Sequence, residues 1–205
     1  MVVIAEDTLQ LTFKSGWHAI KFDDTPWYAV SSNLSAHGVK AMDITALGPD
    51  GHHWWIEIKD CVDYEADNLP RLALTPPPEV KATQTWANDQ GWKPLVEAKR
   101  AKLFVADEVL QKVVGTVAAL TAAARAPATD AHAAAVRPFV AAGIAGSRWN
   151  VVLLLTWNIP DYGRLASRLK TALEQRLRAF DVTCHVVNEH SAAPALPWTA
   201  RRVTP

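Results

Sequence analysis

The chain predicts an α/β fold: a central mixed β-sheet flanked by helices. Two patterns carry that expectation. Between Val2 and Lys59 short strands alternate with turns and end in a tight hairpin. Between Val151 and Val187 a strand, a helix and a strand follow one another. That order implies a parallel pair joined by a right-handed crossover. The chain has 205 residues with 49% hydrophobic content, enough for one domain with a sizeable core. It carries no internal repeat, so residues 1–205 read as a single domain, with 195–205 as a flexible tail.

Taken in order, residues 2–5, 10–13 and 17–22 read as short strands separated by turns. Residues 26–34 read as a short helix with Thr25 as its N-cap. Residues 40–47 and 53–59 form the hairpin, around Gly48-Pro49-Asp50-Gly51. Residues 60–93 read as irregular, because Pro70 and Pro76-Pro77-Pro78 interrupt any long element. From 94 to 124 Leu95, Leu103, Val109, Leu110, Val113, Val114, Val117 and Leu120 recur at helical spacing, and Pro127 ends the run. Residues 130–142 are alanine-rich and helical. Residues 151–156, five apolar residues followed by Thr156, form a buried strand. Residues 161–179 form a helix with Leu165, Leu169, Leu173 and Leu177 on one stripe, and 181–187 form the last strand.

Composition narrows the function. Lys and Arg number 21, and Asp and Glu also 21. A strongly basic nucleic-acid binder is not implied, and any phosphate contact must come from a local patch. Cys61 and Cys184 are the only cysteines. They suggest neither a disulfide framework nor a zinc site and point to a reducing, cytoplasmic setting. Residues 1–7 lack the basic start of a signal peptide, and no apolar stretch is long enough to span a bilayer. No membrane association is expected.

The hairpin carries the chemistry. Pro presets φ at the first loop position, Asp suits the second, and Gly accepts positive φ at the third. A three-residue loop Pro49-Asp50-Gly51 then ends in a glycine bulge and sets Gly48 opposite His52. Counting back along the ladder, Asp43 faces Glu57. Opposed residues share a face, with Cβ atoms roughly 5 Å apart, and Lys59 points the same way. Met42, Ile44, Ala46, Trp54, Ile56 and Ile58 form the other, apolar face. A one-residue slip would separate Asp43 from Glu57. Two opposed carboxylates suit a hard divalent cation such as Mg²⁺, and a lysine beside them can orient a nucleophile or stabilise a charged transition state.

This arrangement resembles the PD-(D/E)XK nuclease superfamily, in which an Asp ends one strand and Glu-x-Lys lies on the next. Asp43, Glu57, Ile58 and Lys59 match that pattern; Met42 stands where the family name has proline. The resemblance covers about residues 39–60 by motif and implies a restriction-endonuclease-like core. It further implies Asp43 and Glu57 as ligands of Mg²⁺ or Mn²⁺, with the Ile58 carbonyl as an added ligand. Lys59 would position or activate the attacking water. The implied reaction is phosphodiester hydrolysis, of DNA rather than RNA. Many relatives carry a further acid upstream; here it is missing or comes from Glu6, Asp7, Asp23 or Asp24. No DNA-reading motif is visible, so specificity is low or supplied by a partner protein, and cutting both strands suggests a homodimer.

Other residues invite weaker readings. Trp55 shares Glu57's face, while the remaining tryptophans suit core and loop anchoring. His52 and His53 read as solvated turn residues. Lys99, Lys102 and Gln111, and likewise Arg164 and Arg168, read as solvated helix flanks able to meet phosphates. A second function class fits as well: a non-catalytic, nuclease-like module serving as an assembly or nucleic-acid-binding subunit.

Overall fold

The computed structural model describes residues 1–141, 148–157, 159–190 and 196–203. The molecule is built in three layers. The middle layer is a five-stranded mixed sheet of order β3-β4-β5-β6-β7. Its strands are β3 (His18–Lys21), β4 (Ile44–Leu47), β5 (His53–Asp60), β6 (Trp149–Thr156) and β7 (Thr183–Val187). β3, β4 and β5 run antiparallel; β5, β6 and β7 run parallel. A second, three-stranded antiparallel sheet has the order β1-β2-β8, with β1 (Val2–Glu6), β2 (Leu9–Phe13) and β8 (Trp198–Arg202). The helices are α1 (Glu65–Leu72), α2 (Pro78–Asp89), α3 (Val105–Arg125), α4 (Ala131–Ala141) and α5 (Tyr162–Arg176).

Side-chain alternation assigns the layers. On β6, Val151, Leu153 and Leu155 pack with Val109, Val113, Leu169 and Leu173 of α3 and α5. Val152 and Leu154, pointing the other way, pack with Leu9, Leu11, Phe13 and Trp198 of the smaller sheet. A strand covered on both faces reads as an unbroken apolar run, which explains Val-Val-Leu-Leu-Leu.

The hairpin has the register its turn predicts. Ile44 pairs with Ile56, Ala46 with Trp54 and Leu47 with His53. Gly48 N–H donates to His52 O at 2.9 Å, and Gly51 adopts φ +76°. Met42 departs from the expected face: it lies with the helices, because β4 begins only at Ile44.

Four expectations are corrected. Residues 94–104 are not helical; α3 starts at Val105, where Phe104 and Val105 enter the core and Leu95 stays 84% exposed. Lys99 and Lys102 therefore lie ahead of the helix. The segment read as irregular contains α1 and α2. Pro78 opens α2, where a missing N–H leaves no intrahelical bond unmade. Residues 26–34 hold a single π-helical turn at Trp27–Ser31, with Tyr28 N–H donating to Thr25 Oγ1, and a 3₁₀ turn follows at Ser35–His37. Finally, the segment read as a loose tail contains β8, whose Trp198 and Ala200 are buried against β2. No helix among the described residues is long and apolar enough to cross a membrane.

Candidate functional site

The opposed strands bring Asp43, Glu57 and Lys59 together on the helix side of the sheet. Extending the β4–β5 ladder by one pair sets Asp43 opposite Glu57. Asp43 Oδ2 accepts the Ile58 N–H at 2.7 Å, which pins its carboxylate to β5. A residue's N–H and C=O point to the same side of an extended strand, so the Ile58 carbonyl also faces Asp43.

Helix α3 completes the site. Glu108 and Lys112 lie one turn apart on it and share a face. Lys112 Nζ is 2.7 Å from Asp43 Oδ1 and 2.7 Å from Glu57 Oε2. Lys59 Nζ is 2.7 Å from Glu57 Oε1 and 3.1 Å from Glu108 Oε1. Arg71 of α1 closes the chain, 2.6 Å from Glu108 Oε2. Three carboxylates and three cations thus alternate in the order Asp43, Lys112, Glu57, Lys59, Glu108, Arg71.

The approach of α3 depends on a glycine. A Cβ at Gly115 would stand 1.9 Å from the Lys40 carbonyl oxygen, so only glycine lets the helix close on the strand leading to Asp43. Next to it, Thr116 Oγ1 accepts the Met42 N–H at 2.9 Å and donates to Lys112 O at 2.8 Å. These contacts lock Lys112 in register with Asp43.

Burial sets the electrostatics. Glu57 is fully buried; each of its oxygens is held by an ammonium, and no neutral donor reaches either. Burial pushes its carboxyl up to about 7, helped by the charge of Asp43 and opposed by Lys59 and Lys112. Burial on its own would lower the pKa of Lys59 and of Lys112. Glu57 with Glu108 outweighs it at Lys59, and Glu57 with Asp43 outweighs it at Lys112, so both stay firmly protonated. At Glu108 burial acts upward, but Lys59 and Arg71 prevail and hold it below the ordinary range.

A further acid stands beside the cluster. Phe22 N–H donates to Asp43 O at 2.7 Å, which brings the next residue, Asp23, alongside. Its Oδ1 is buried without a hydrogen-bond partner. Burial, then the Asp43 charge, pushes its carboxyl up to about 6. The other upstream acids are engaged or remote: Glu6 and Asp24 both pair with Lys21 at 2.8 and 2.7 Å, and Asp7 occupies the β1–β2 turn with φ +49°. Among the described residues no three His, Cys, Asp or Glu side chains are grouped as a metal chelate.

Lys112, Glu108 and Arg71 carried no functional expectation in the sequence. The available signal was Glu108 itself, a charged residue falling on the apolar stripe between Val105 and Val109. Of the weaker readings, Trp55 is buried against Trp149 with ring centroids 4.5 Å apart. His52 pairs with Asp50 at 3.1 Å. His53 is fully buried rather than solvated, and burial pushes its pKa down to about 4. Lys99 pairs with Glu97 on the surface. Comparison with protein-family models, with curated proteins and with solved structures returns no match.

Proposed function

We propose that the protein is a metal-dependent nuclease of the PD-(D/E)XK type, with a restriction-endonuclease-like core, that hydrolyses phosphodiester bonds in DNA. One observation carries the reading. Asp43 and Glu57, from opposed strands, converge on a single cation position, filled by the Lys112 ammonium 2.7 Å from each. Buried carboxylates are seldom gathered this way for stability alone, since desolvation offsets most of the attraction.

The donor set fits a hard divalent cation. Two carboxylates and the Ile58 carbonyl are oxygen ligands, and Mg²⁺ or Mn²⁺ is commonly held by one or two carboxylates with water and substrate phosphate completing the shell. Asp23 is the acid placed to assist. Such a cation would lower the pKa of a bound water and neutralise charge on the phosphoryl oxygen. The chain's own residues divide the remaining work. Asp43 and Glu57 would hold the cation at the position the Lys112 ammonium fills. Lys59 stays on Glu57, where its ammonium orients the attacking water and stabilises developing negative charge. Glu108, anchored by Arg71, keeps Lys59 aimed. Cutting both strands of a duplex calls for two such sites, hence a homodimer or a partner protein.

A second reading has its own observation: the six charges of the cluster balance without any metal, as they would in a non-catalytic nuclease-like module. The experiment that separates the two is incubation with plasmid, single-stranded DNA and RNA in Mg²⁺, Mn²⁺ or EDTA, beside calorimetric titration with Mn²⁺. Cleavage that needs the metal and disappears in Asp43→Ala supports the nuclease. Neither cleavage nor Mn²⁺ binding by the folded protein supports the module.

A further inference from the structure

A groove of about 980 Å³ runs between α1 and the first half of α5, beyond the ends of β5 and β6. Leu69, Leu72, Trp157, Ile159 and Leu165 give it apolar walls. Arg164 and Arg168 bring positive charge to the lining, against one acid, Asp161. The groove adjoins the cluster through α1: Arg71 reaches inward to Glu108 at 2.6 Å, and Leu72, the next residue, lines the groove. The outer end of a parallel strand pair is also where α/β sheets commonly bind ligands.

Three cations along this border lack an ion-pair partner. Arg168 donates to Leu72 O at 3.0 Å, Arg100 to Ala73 O and Leu74 O at 2.7 and 2.8 Å, and Lys102 to Asp67 O at 2.6 Å. A carbonyl satisfies a donor but does not cancel its charge. Among the described residues, none of these three cations has a carboxylate within ion-pair distance. A chain with net charge zero therefore sets three cations without ion-pair partners around α1, whose own acids are Glu65 and Asp67 in its first turn, beside the groove and the buried carboxylates.

We infer that this groove binds a segment of single-stranded DNA, with phosphates on Arg164 and Arg168, flanked by Lys102, and bases against the apolar walls. The inference rests on the nuclease reading for its choice of ligand. The walls decide between strand states. A duplex turns its phosphates outward and hides its base faces, so apolar walls gain nothing from it. An unpaired strand offers base faces and phosphates together, the combination that binding grooves for single strands use.

The test is fluorescence anisotropy with labelled oligothymidylate, a DNA duplex of equal length and the matching RNA. EDTA is present throughout, so neither metal nor cleavage contributes. Single-stranded DNA should bind most tightly. About three phosphate contacts predict a slope of log affinity against log salt near −2, at roughly −0.7 per contact. Arg164→Glu should weaken binding about tenfold or more, since a contact is lost and a repulsion gained. Arg168→Ala also frees the Leu72 carbonyl and could disturb α1, so Arg164→Glu, checked for folding by circular dichroism, carries the decision. No binding at low salt by the folded protein, tighter binding of duplex or RNA, or unchanged affinity in folded Arg164→Glu would overturn the proposal. The two readings fail separately. Metal-dependent cleavage with an indifferent Arg164→Glu removes the groove and leaves the nuclease. Groove-dependent binding without cleavage in Mg²⁺ or Mn²⁺ removes the nuclease and leaves the groove.

Discussion

Glu57 and Asp60 sit three positions apart on β5 and face opposite layers, Glu57 toward the helices and Asp60 toward the smaller sheet. Asp60 is met by donors on every side. Arg202 of β8 reaches it with two nitrogens at 2.9 Å each, Thr8 donates at 2.6 Å, and Thr156 donates as well. Burial acts upward on its carboxyl, but Arg202, then Thr156 and Thr8, draw it far below the ordinary range. Glu57 has ammonium groups and no neutral donor, and burial pushes it up to about 7. One carboxylate stitches two sheets together through hydrogen bonds. The other is held by charge alone in a site that strongly disfavours its charge. A carboxyl pushed toward neutrality beside an acid and two lysines is what the proposed metal site would call for.

The comparison is broken most sharply by exchanging the consequences. Lys59→Met should lower the cleavage rate by about 10²–10³-fold, roughly 3–4 kcal/mol, because it removes a preorganised cation from the reacting group. Urea denaturation should show the variant folded, and Mn²⁺ binding should persist. Asp60→Ala should do the reverse. The lost hydrogen bonds from Arg202, Thr156 and Thr8 cost about 2–3 kcal/mol of stability, read from the urea midpoint, while Arg202 keeps Glu189 at 3.6 Å and the rate per folded molecule stays at the wild-type value. A folded Asp60→Ala protein without activity would move the site toward β8.

Acidity sharpens the contrast, because the two carboxyls act with opposite sign. The folded pKa of Asp60 lies below its unfolded value, so its stabilisation is present above pH ~4 and is lost as pH falls below that. The folded pKa of Glu57 is raised, so the native state keeps a proton that the unfolded chain releases from about pH 4.5 upward. Its contribution to stability therefore falls as pH rises from about 4.5 to 7 and then levels off. At 1.36 kcal/mol per pKa unit, Glu57→Gln should flatten the stability difference between pH 5 and pH 8 by about 2 kcal/mol. Urea midpoints of both proteins at the two pH values measure it. An unchanged slope would mean that Glu57 ionises freely, and its difference from Asp60 would collapse.

Legibility in the sequence follows the range of the interactions. The Asp43 and Glu57 pairing was readable because a local turn, Pro49-Asp50-Gly51, sets the register of the whole hairpin. The alternation of β5 and the apolar run of β6 were readable because burial on two faces leaves a pattern. β8 was not, since Trp198-Thr199-Ala200 acquires its strand character only from β2 at the other end of the chain. Leu95 mimicked helical spacing with no partner to bury against. The partnership of Lys112 with Asp43 depends on how closely α3 approaches, and that is decided by the missing side chain of Gly115 under the Lys40 carbonyl. No periodicity in α3 reports it.

The smallest expected effect asks whether the balanced cluster is a metal site at rest. The three carboxylates Asp43, Glu57 and Glu108 are matched by Lys59, Lys112 and Arg71. A divalent cation added to that sum leaves buried positive charge unpaired, unless the lysine bridging Asp43 and Glu57 withdraws. Lys112→Met keeps the aliphatic stem and removes the competitor. Calorimetric titration should then show Mn²⁺ bound about tenfold more tightly than by the wild type, a gain of about 1.4 kcal/mol. Asp43→Ala should lose Mn²⁺ binding altogether. Equal Mn²⁺ affinity in wild type and Lys112→Met would show that the ammonium does not compete for the position, leaving Lys112 as a fixed neighbour of the cation. Absence of Mn²⁺ binding in both folded proteins would instead make Lys112 the permanent partner of Asp43 and Glu57. The Glu57 side of β5 would then be as structural as the Asp60 side, with charge doing there what hydrogen bonds do three residues further on.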